Sequence, residues 1–103
     1  MDWFAIRSVY LCRAKSDGMN IFEERVVCFE AGSDDEAHEK AALESARYAL
    51  ANEFEAHPER EGYLQDGDPL IDGYEVWSVM LESRESLDEF YARRYSRYEY
   101  RPE

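Results

Sequence analysis

A chain of 103 residues, 45% hydrophobic and 15% aromatic, is too apolar for disorder and is expected to fold as one domain over residues 1–103. Its 24 acidic and 12 basic residues leave a net charge of −12, which repels nucleic acid and anionic membrane and attracts basic proteins. No apolar run approaches the roughly 18 residues of a membrane-spanning helix, and the stretch from Met1 to Arg7 has none of the marks of a signal peptide, so a cytoplasmic location is expected.

In chain order, Trp3 to Cys12 is dense in aromatic and β-branched residues and reads as a strand. Asp17-Gly18 is a favoured type I′ turn pair, and Ile21 to Ala31 reads as the hairpin partner. A two-residue loop at Asp17-Gly18 places Cys12 opposite Glu23 and Cys28 opposite Arg7. The sulfurs are then roughly 16 Å apart, beyond disulfide reach, and both thiols are expected to be reduced. One sheet face is expected to carry Phe4, Ile6, Ser8, Tyr10, Arg25, Val27 and Phe29. The other carries Trp3, Ala5, Val9, Leu11, Val26 and Cys28, with Arg7 and Glu24 among them. Since neither face is polar throughout, both need a cover.

Ser33-Asp34-Asp35-Glu36 is a capping box that opens a helix, and its acids suit the positive helix N-terminus. Ala42, Leu43, Ala46, Ala49, Leu50 and Phe54 recur at helical spacing and are expected to pack on the sheet, ending before Pro58. Pro58 to Gly73 reads as a loop, Tyr74 to Glu82 as a third strand. Ser86-Leu87-Asp88-Glu89 repeats the capping pattern and opens a short helix with Leu87, Phe90, Tyr91, Tyr95 and Tyr98 along one side. The fold class is therefore α+β. An antiparallel sheet of three or more strands in ββαβα order has the long helix on one face, and the short helix or a second subunit covers the other.

Chemistry-bearing constellations are sparse. Asp34 and His38 are four apart on a helix, but a metal site needs three or four convergent ligands. The segment Asp66 to Asp72 resembles a calcium loop only in composition, because its sixth and twelfth positions hold Ile71 and Trp77. Glu23, Glu24 and Glu75 are candidate carboxylates for a small hydrolase. Adjacent strand residues point to opposite faces, however, so Glu23 and Glu24 cannot act side by side. No catalytic residue, metal site or cofactor is expected.

Charge is uneven along the chain. Ser33 to Glu61 holds nine acids and three bases, a local −6, whereas Arg84 to Arg101 holds five arginines and four acids, a local +1. Candidate protein-contact residues are accordingly Asp34, Asp35, Glu39, Glu53 and Glu55 on the acidic surface. Tyr91, Arg94, Tyr95, Arg97 and Tyr98 are the candidates in the tail, since tyrosine and arginine are enriched at interface hot spots. The alternatives for the tail are packing on the open sheet face and, against the global charge, stacking on nucleic acid.

Three segments together resemble a bacterial family known as domain of unknown function 4288. They are Trp3-Phe4-Ala5-Ile6-Arg7, then Phe22-Glu23-Glu24-Arg25-Val26-Val27 with Ala31-Gly32-Ser33-Asp34-Asp35-Glu36-Ala37, and Gly73-Tyr74-Glu75-Val76. The resemblance covers roughly residues 2–82 and implies a small α+β fold in a bacterial cytoplasm. It supplies no activity or site residue, and the Tyr/Arg tail departs from it. The leading expectation is a non-catalytic domain of the immunity or inhibitor type that meets a basic protein partner, with nucleic-acid mimicry as a variant. A structural or regulatory homodimer using the tail is the second expectation, and a strand-carboxylate hydrolase the third.

Overall fold

The computed structural model describes residues 1–65, 72–73, 76–77, 80 and 82–96. The first strand, β1 (Asp2–Ala14), is the spine of a four-stranded antiparallel sheet. Along one edge it pairs with β2 (Asn20–Ala31). On the other edge it pairs with β3 (Glu55–Ala56) near Tyr10 and Leu11, and with β4 (Glu61–Gln65) near Trp3 to Arg7. A helix, α1 (Asp34–Asn52), crosses one face, and α2 (Leu87–Tyr91) continues as a π-helical turn, Ala92–Ser96. An α+β fold with the long helix on an antiparallel sheet is thus present; its fourth strand comes from the segment expected to be a loop, and its short third strand from the stretch between the expected helix and Pro58. The expected strand over 74–82 lies largely outside the described residues, and Val76, Trp77, Met80 and Glu82 carry no strand pairing.

The hairpin register differs from expectation by two residues, and two local devices account for it. The turn is three residues long, Ser16-Asp17-Gly18: Lys15 N–H donates to Met19 O at 2.7 Å and Gly18 N–H to Lys15 O at 3.0 Å. Gly18 sits at φ 87, the left-handed residue that ends such a loop. Asp17 Oδ1 accepts from Met19 N–H at 3.0 Å, which holds that carboxyl below its ordinary range. A bulge between Leu11 and Arg13 adds a second slip, so Tyr10 rather than Cys12 faces Glu23, and Ala5 rather than Arg7 faces Cys28. Two slips of one residue preserve the side-chain alternation, so the expected composition of each face stands. Both cysteines are free.

Phe4, Ile6, Ser8 and Tyr10 are buried beneath α1. The helix meets them with Ala37, Ala41, Ser45 and Ala49, a row spaced by four residues that lets its backbone approach closely. Of the apolar stripe expected to pack inward, Ala49 is buried and Ala42 and Phe54 are half-buried, whereas Leu43 is 62% and Leu50 83% exposed, and Ala46 is exposed. Near the helix start the approach is tightest at Gly62 of β4. There a Cβ would lie 3.0 Å from His38 Nε2, 3.2 Å from Ile6 Cδ1 and 3.3 Å from Asp34 Oδ1.

The far end of α1 closes on a Schellman motif. Phe54 N–H donates to Ala49 O at 2.9 Å and Glu53 N–H to Leu50 O at 3.4 Å. Phe54 then packs 5.9 Å from the Tyr48 ring, the apolar contact that accompanies this cap. The residue in the left-handed position is Glu53, at φ 59, rather than glycine.

The second sheet face is not covered by the short helix. Gln65 Nε2 donates to Val76 O at 3.1 Å, and Trp77 lies 5.7 Å from the Tyr63 ring and 5.5 Å from the Arg7 guanidinium. Among the described elements α2 packs only on its own π-helical continuation and touches neither face of the sheet. On that face Phe22, Val26 and Trp3 stay 63%, 41% and 37% exposed.

Glu53→Gly should raise the unfolding free energy by about 1 kcal/mol, because it removes the left-handed penalty of a Cβ. Urea titration reads this as a higher midpoint at unchanged slope. Gly62→Val should lower stability by roughly 1–3 kcal/mol, the cost of overpacking a close contact, in the same assay.

Candidate functional site

The acids of α1 do two kinds of work. Ser33 Oγ accepts from Glu36 N–H at 3.1 Å and Glu36 Oε2 accepts from Gly32 N–H at 3.1 Å, completing the expected capping box. Asp34 Oδ2 stands 3.6 Å from His38 Nε2, and Lys40 Nζ stands 3.8 Å from Glu36. Asp35 and Glu39 lie one turn apart, exposed, and Glu53 and Glu55 are exposed just beyond the other end. None of these four has an ion-pair partner among the described residues. With a rise of about 1.5 Å per residue, Glu39 and Glu53 are roughly 20 Å apart. The acidic surface is therefore two clusters, and the exposed side chains of Leu43, Ala46 and Leu50 lie between them.

Beneath α1 lies a polar and aromatic network around Arg25, a residue that the sequence places on this face without indicating its partners. Tyr10 and Ser45 share a hydrogen bond of 2.9 Å in the buried layer. Arg25, beside Ser8 on the neighbouring strand, donates to Glu44 and to Tyr10 Oη, and its Cζ lies 3.7 Å from the Tyr48 ring centroid. Glu44, and then Tyr10, hold its guanidinium still more firmly protonated. Tyr48 Oη donates to Glu23 at 2.6 Å. That bond, and then burial, raise the phenol above its ordinary pKa, since the neutral form alone can donate. Burial, and then Glu23, push the Cys12 thiol up as well, away from the reactive thiolate.

The strand carboxylates do not converge. Glu23 lies on the helix side, bonded to Tyr48, whereas the adjacent Glu24 is exposed on the opposite face. Glu75 lies outside the described residues. An open depression of about 410 Å³ is lined by Arg7, Val9, His57, Glu59, Arg60 and Glu61. Arg7 is paired with Glu61 at 2.5 Å there, and Arg60 donates to Pro58 O at 3.2 Å. Its lining holds no Ser, Thr, Cys, Lys or Tyr side chain. Among the described residues, no three His, Cys, Asp or Glu side chains gather as metal ligands. No helix among them is long and apolar enough to cross a membrane.

In the tail, Ser86 caps α2 by accepting from Glu89 N–H at 3.2 Å and donating to Glu89 Oε1 at 2.9 Å. Arg93 Nε contacts both Glu85 carboxylate oxygens, at 2.8 and 2.9 Å, and its guanidinium lies 5.5 Å from the Phe90 ring. Ser83, and then Arg93, hold the Glu85 carboxyl below its ordinary range. Tyr91 is 60% exposed and Arg94 half-buried. The backbone of Tyr95 lies in the π-helical turn, and Arg97 and Tyr98 lie outside the described residues.

No protein-family model, curated protein or solved structure matches the chain. The resemblance to domain of unknown function 4288 thus rests on its three quoted segments alone.

Tyr48→Phe should destabilise the fold at neutral pH, and the gap to wild type should narrow as pH rises above about 10. A raised pKa in the folded state contributes stability below the unfolded value and loses it as the phenol ionises. Denaturant midpoints recorded from pH 7 to 11 check both the sign and the narrowing.

Proposed function

We propose that this chain is a non-catalytic acidic protein-binding domain, of the immunity or inhibitor type, that captures a basic protein partner in the cytoplasm. The observation that carries this reading is the set of exposed carboxylates of Asp35, Glu39, Glu53 and Glu55, unpaired among the described residues, on a chain of net charge −12. A field of one sign steers a cationic protein to the surface and accelerates its capture. The firm capping and the dry Tyr10–Ser45 contact favour a rigid helix that presents these acids without a large ordering cost.

A homodimer built on the Tyr/Arg segment is supported by a separate observation: α2 leaves Leu87 82% and Tyr91 60% exposed. The hydrolase reading has less support, because Glu23 and Glu24 point to opposite faces and Glu23 is engaged by Tyr48.

Affinity capture with the full chain from its native cell, at low salt, should retain a basic protein. Its affinity should fall with ionic strength and fall again, about tenfold or 1.4 kcal/mol, in Asp35→Lys/Glu39→Lys. A partner indifferent both to salt and to the two substitutions defeats the reading.

A further inference from the structure

Among the described residues β2 has one strand neighbour, β1, and its other side is an open sheet edge. Which of its peptide groups face outward follows from the hairpin register. Val9 O accepts from His57 N–H at 2.9 Å, so Val9 turns its peptide groups toward β3 and away from Glu24 opposite it. Glu24 then points its own N–H and C=O away from β1. So does every second residue along this unbroken stretch of pairing: Phe22, Val26, Cys28 and Glu30. Lys40 Nζ donates to Glu30 O at 2.6 Å and so occupies the last of these carbonyls. From Phe22 to Cys28 the outward groups have no partner among the described residues. The side chains that go with them lie on the open sheet face, away from α1. Phe22, Glu24, Val26 and Glu30 are exposed and Cys28 is half-buried, a row with two acids and no base. The base on that face of the hairpin, Arg7, stands on the inner strand and is held by Glu61. On the helix side Glu23 is bonded to Tyr48 and Arg25 to Glu44. The flank of α1 toward β2 carries Lys40, Glu44 and Arg47, mixed in sign.

We infer that the edge of β2 from Phe22 to Cys28 is a strand-addition site for an extended segment of another protein, whose open-face residues run apolar, basic, apolar. Main-chain hydrogen bonds to the outward groups give attachment, and the alternate side chains give selectivity. A Lys or Arg opposite Glu24 pairs with it across the strands, and the apolar residues on either side of that base cover Phe22 and Val26. Charge argues against a second copy of this chain as the occupant. In a two-fold antiparallel pairing of two β2 edges, the outward residues meet only one another. Every register then leaves Glu24 and Glu30 without a base. The acids thus guard the edge against self-pairing while leaving it open to a basic strand. This edge lies apart from Asp35 and Glu39 of α1 and does not depend on them.

The probe is a capped synthetic peptide, Thr-Val-Thr-Lys-Thr-Val-Thr, whose palindromic pattern makes strand direction immaterial. It is titrated into the full chain and followed by amide NMR and hydrogen exchange, with no native partner needed, so the outcome is separate from that of the capture experiment. In the free protein the N–H groups of Glu24 and Val26 should exchange fast and those of Arg25 and Val27 slowly, and the peptide should slow the first pair. The same peptide with Glu in place of Lys should bind at least about fivefold more weakly. Glu24→Lys, at an exposed position, should keep the fold and reverse that order. N-methylation of the valines and lysine, whose N–H groups turn toward β2, should abolish binding. N-methylation of the threonines between them should spare it. Unchanged exchange of Glu24 and Val26 at millimolar peptide, equal binding of the Lys and Glu forms, or indifference to which residues are methylated would each overturn the inference. So would protection of the Glu24 N–H that rises with protein concentration in the absence of peptide, since a second copy then fills the edge.

Discussion

The close approach of α1 to the sheet, set by the row Ala37, Ala41, Ser45 and Ala49, is the constraint on which the rest depends. Small residues spaced by four bring the helix near enough for Ser45 to reach Tyr10 in the dry layer. A helix that close leaves no room for longer side chains underneath. Tyr48 and Phe54 are displaced to its C-terminal end, where they pack edge-on around Tyr10, and Arg25 seals that end over the Tyr48 ring. Toward its start the same proximity leaves a Cβ at position 62 only 3.0–3.3 Å from the His38, Ile6 and Asp34 side chains. The helix thus has an apolar half over Phe4 and Ile6 and a hydrogen-bonded, aromatic half over Tyr10. Its leucines are left on the outside.

Local chemistry was legible where one residue type has one use. Both helix starts read correctly because a Ser three residues ahead of a Glu caps the free backbone N–H of that Glu. The two sheet faces read correctly because alternation survives any even shift. The inward side of α1 did not. Alanine occurs on both sides of this helix, so the leucines decided the reading, and packing distance overrode them. Glu61 to Gln65 escaped notice because Tyr63 and Gln65 are its only side chains turned toward the covered part of its face, too few to make a pattern. The contact of Arg7 with Trp77 joins residues seventy positions apart and leaves no local trace.

For the candidate surfaces, the acids were legible as a composition but not as a distribution. Ordinary helix capping occupies Glu36, and His38 takes Asp34, which leaves Asp35 and Glu39 for contact at one end and Glu53 and Glu55 at the other. Between the clusters Leu43, Ala46 and Leu50 are exposed, with the base Arg47 among them.

The hairpin has a consequence for how this fold tolerates insertion. Its turn at Ser16 to Gly18 and its bulge at Leu11 and Arg13 each displace the pairing by one step, and together they make an even shift of two. Parity is what the sheet reads. A slip of the strand pairing by a single residue would turn Arg25 away from Glu44 and bring Glu24 beneath the helix. Extra residues at the tip are taken up in the loop instead, since Lys15 and Met19 can still close it. Insertion at this tip is thus tolerated, whereas removal of the bulge residue is not.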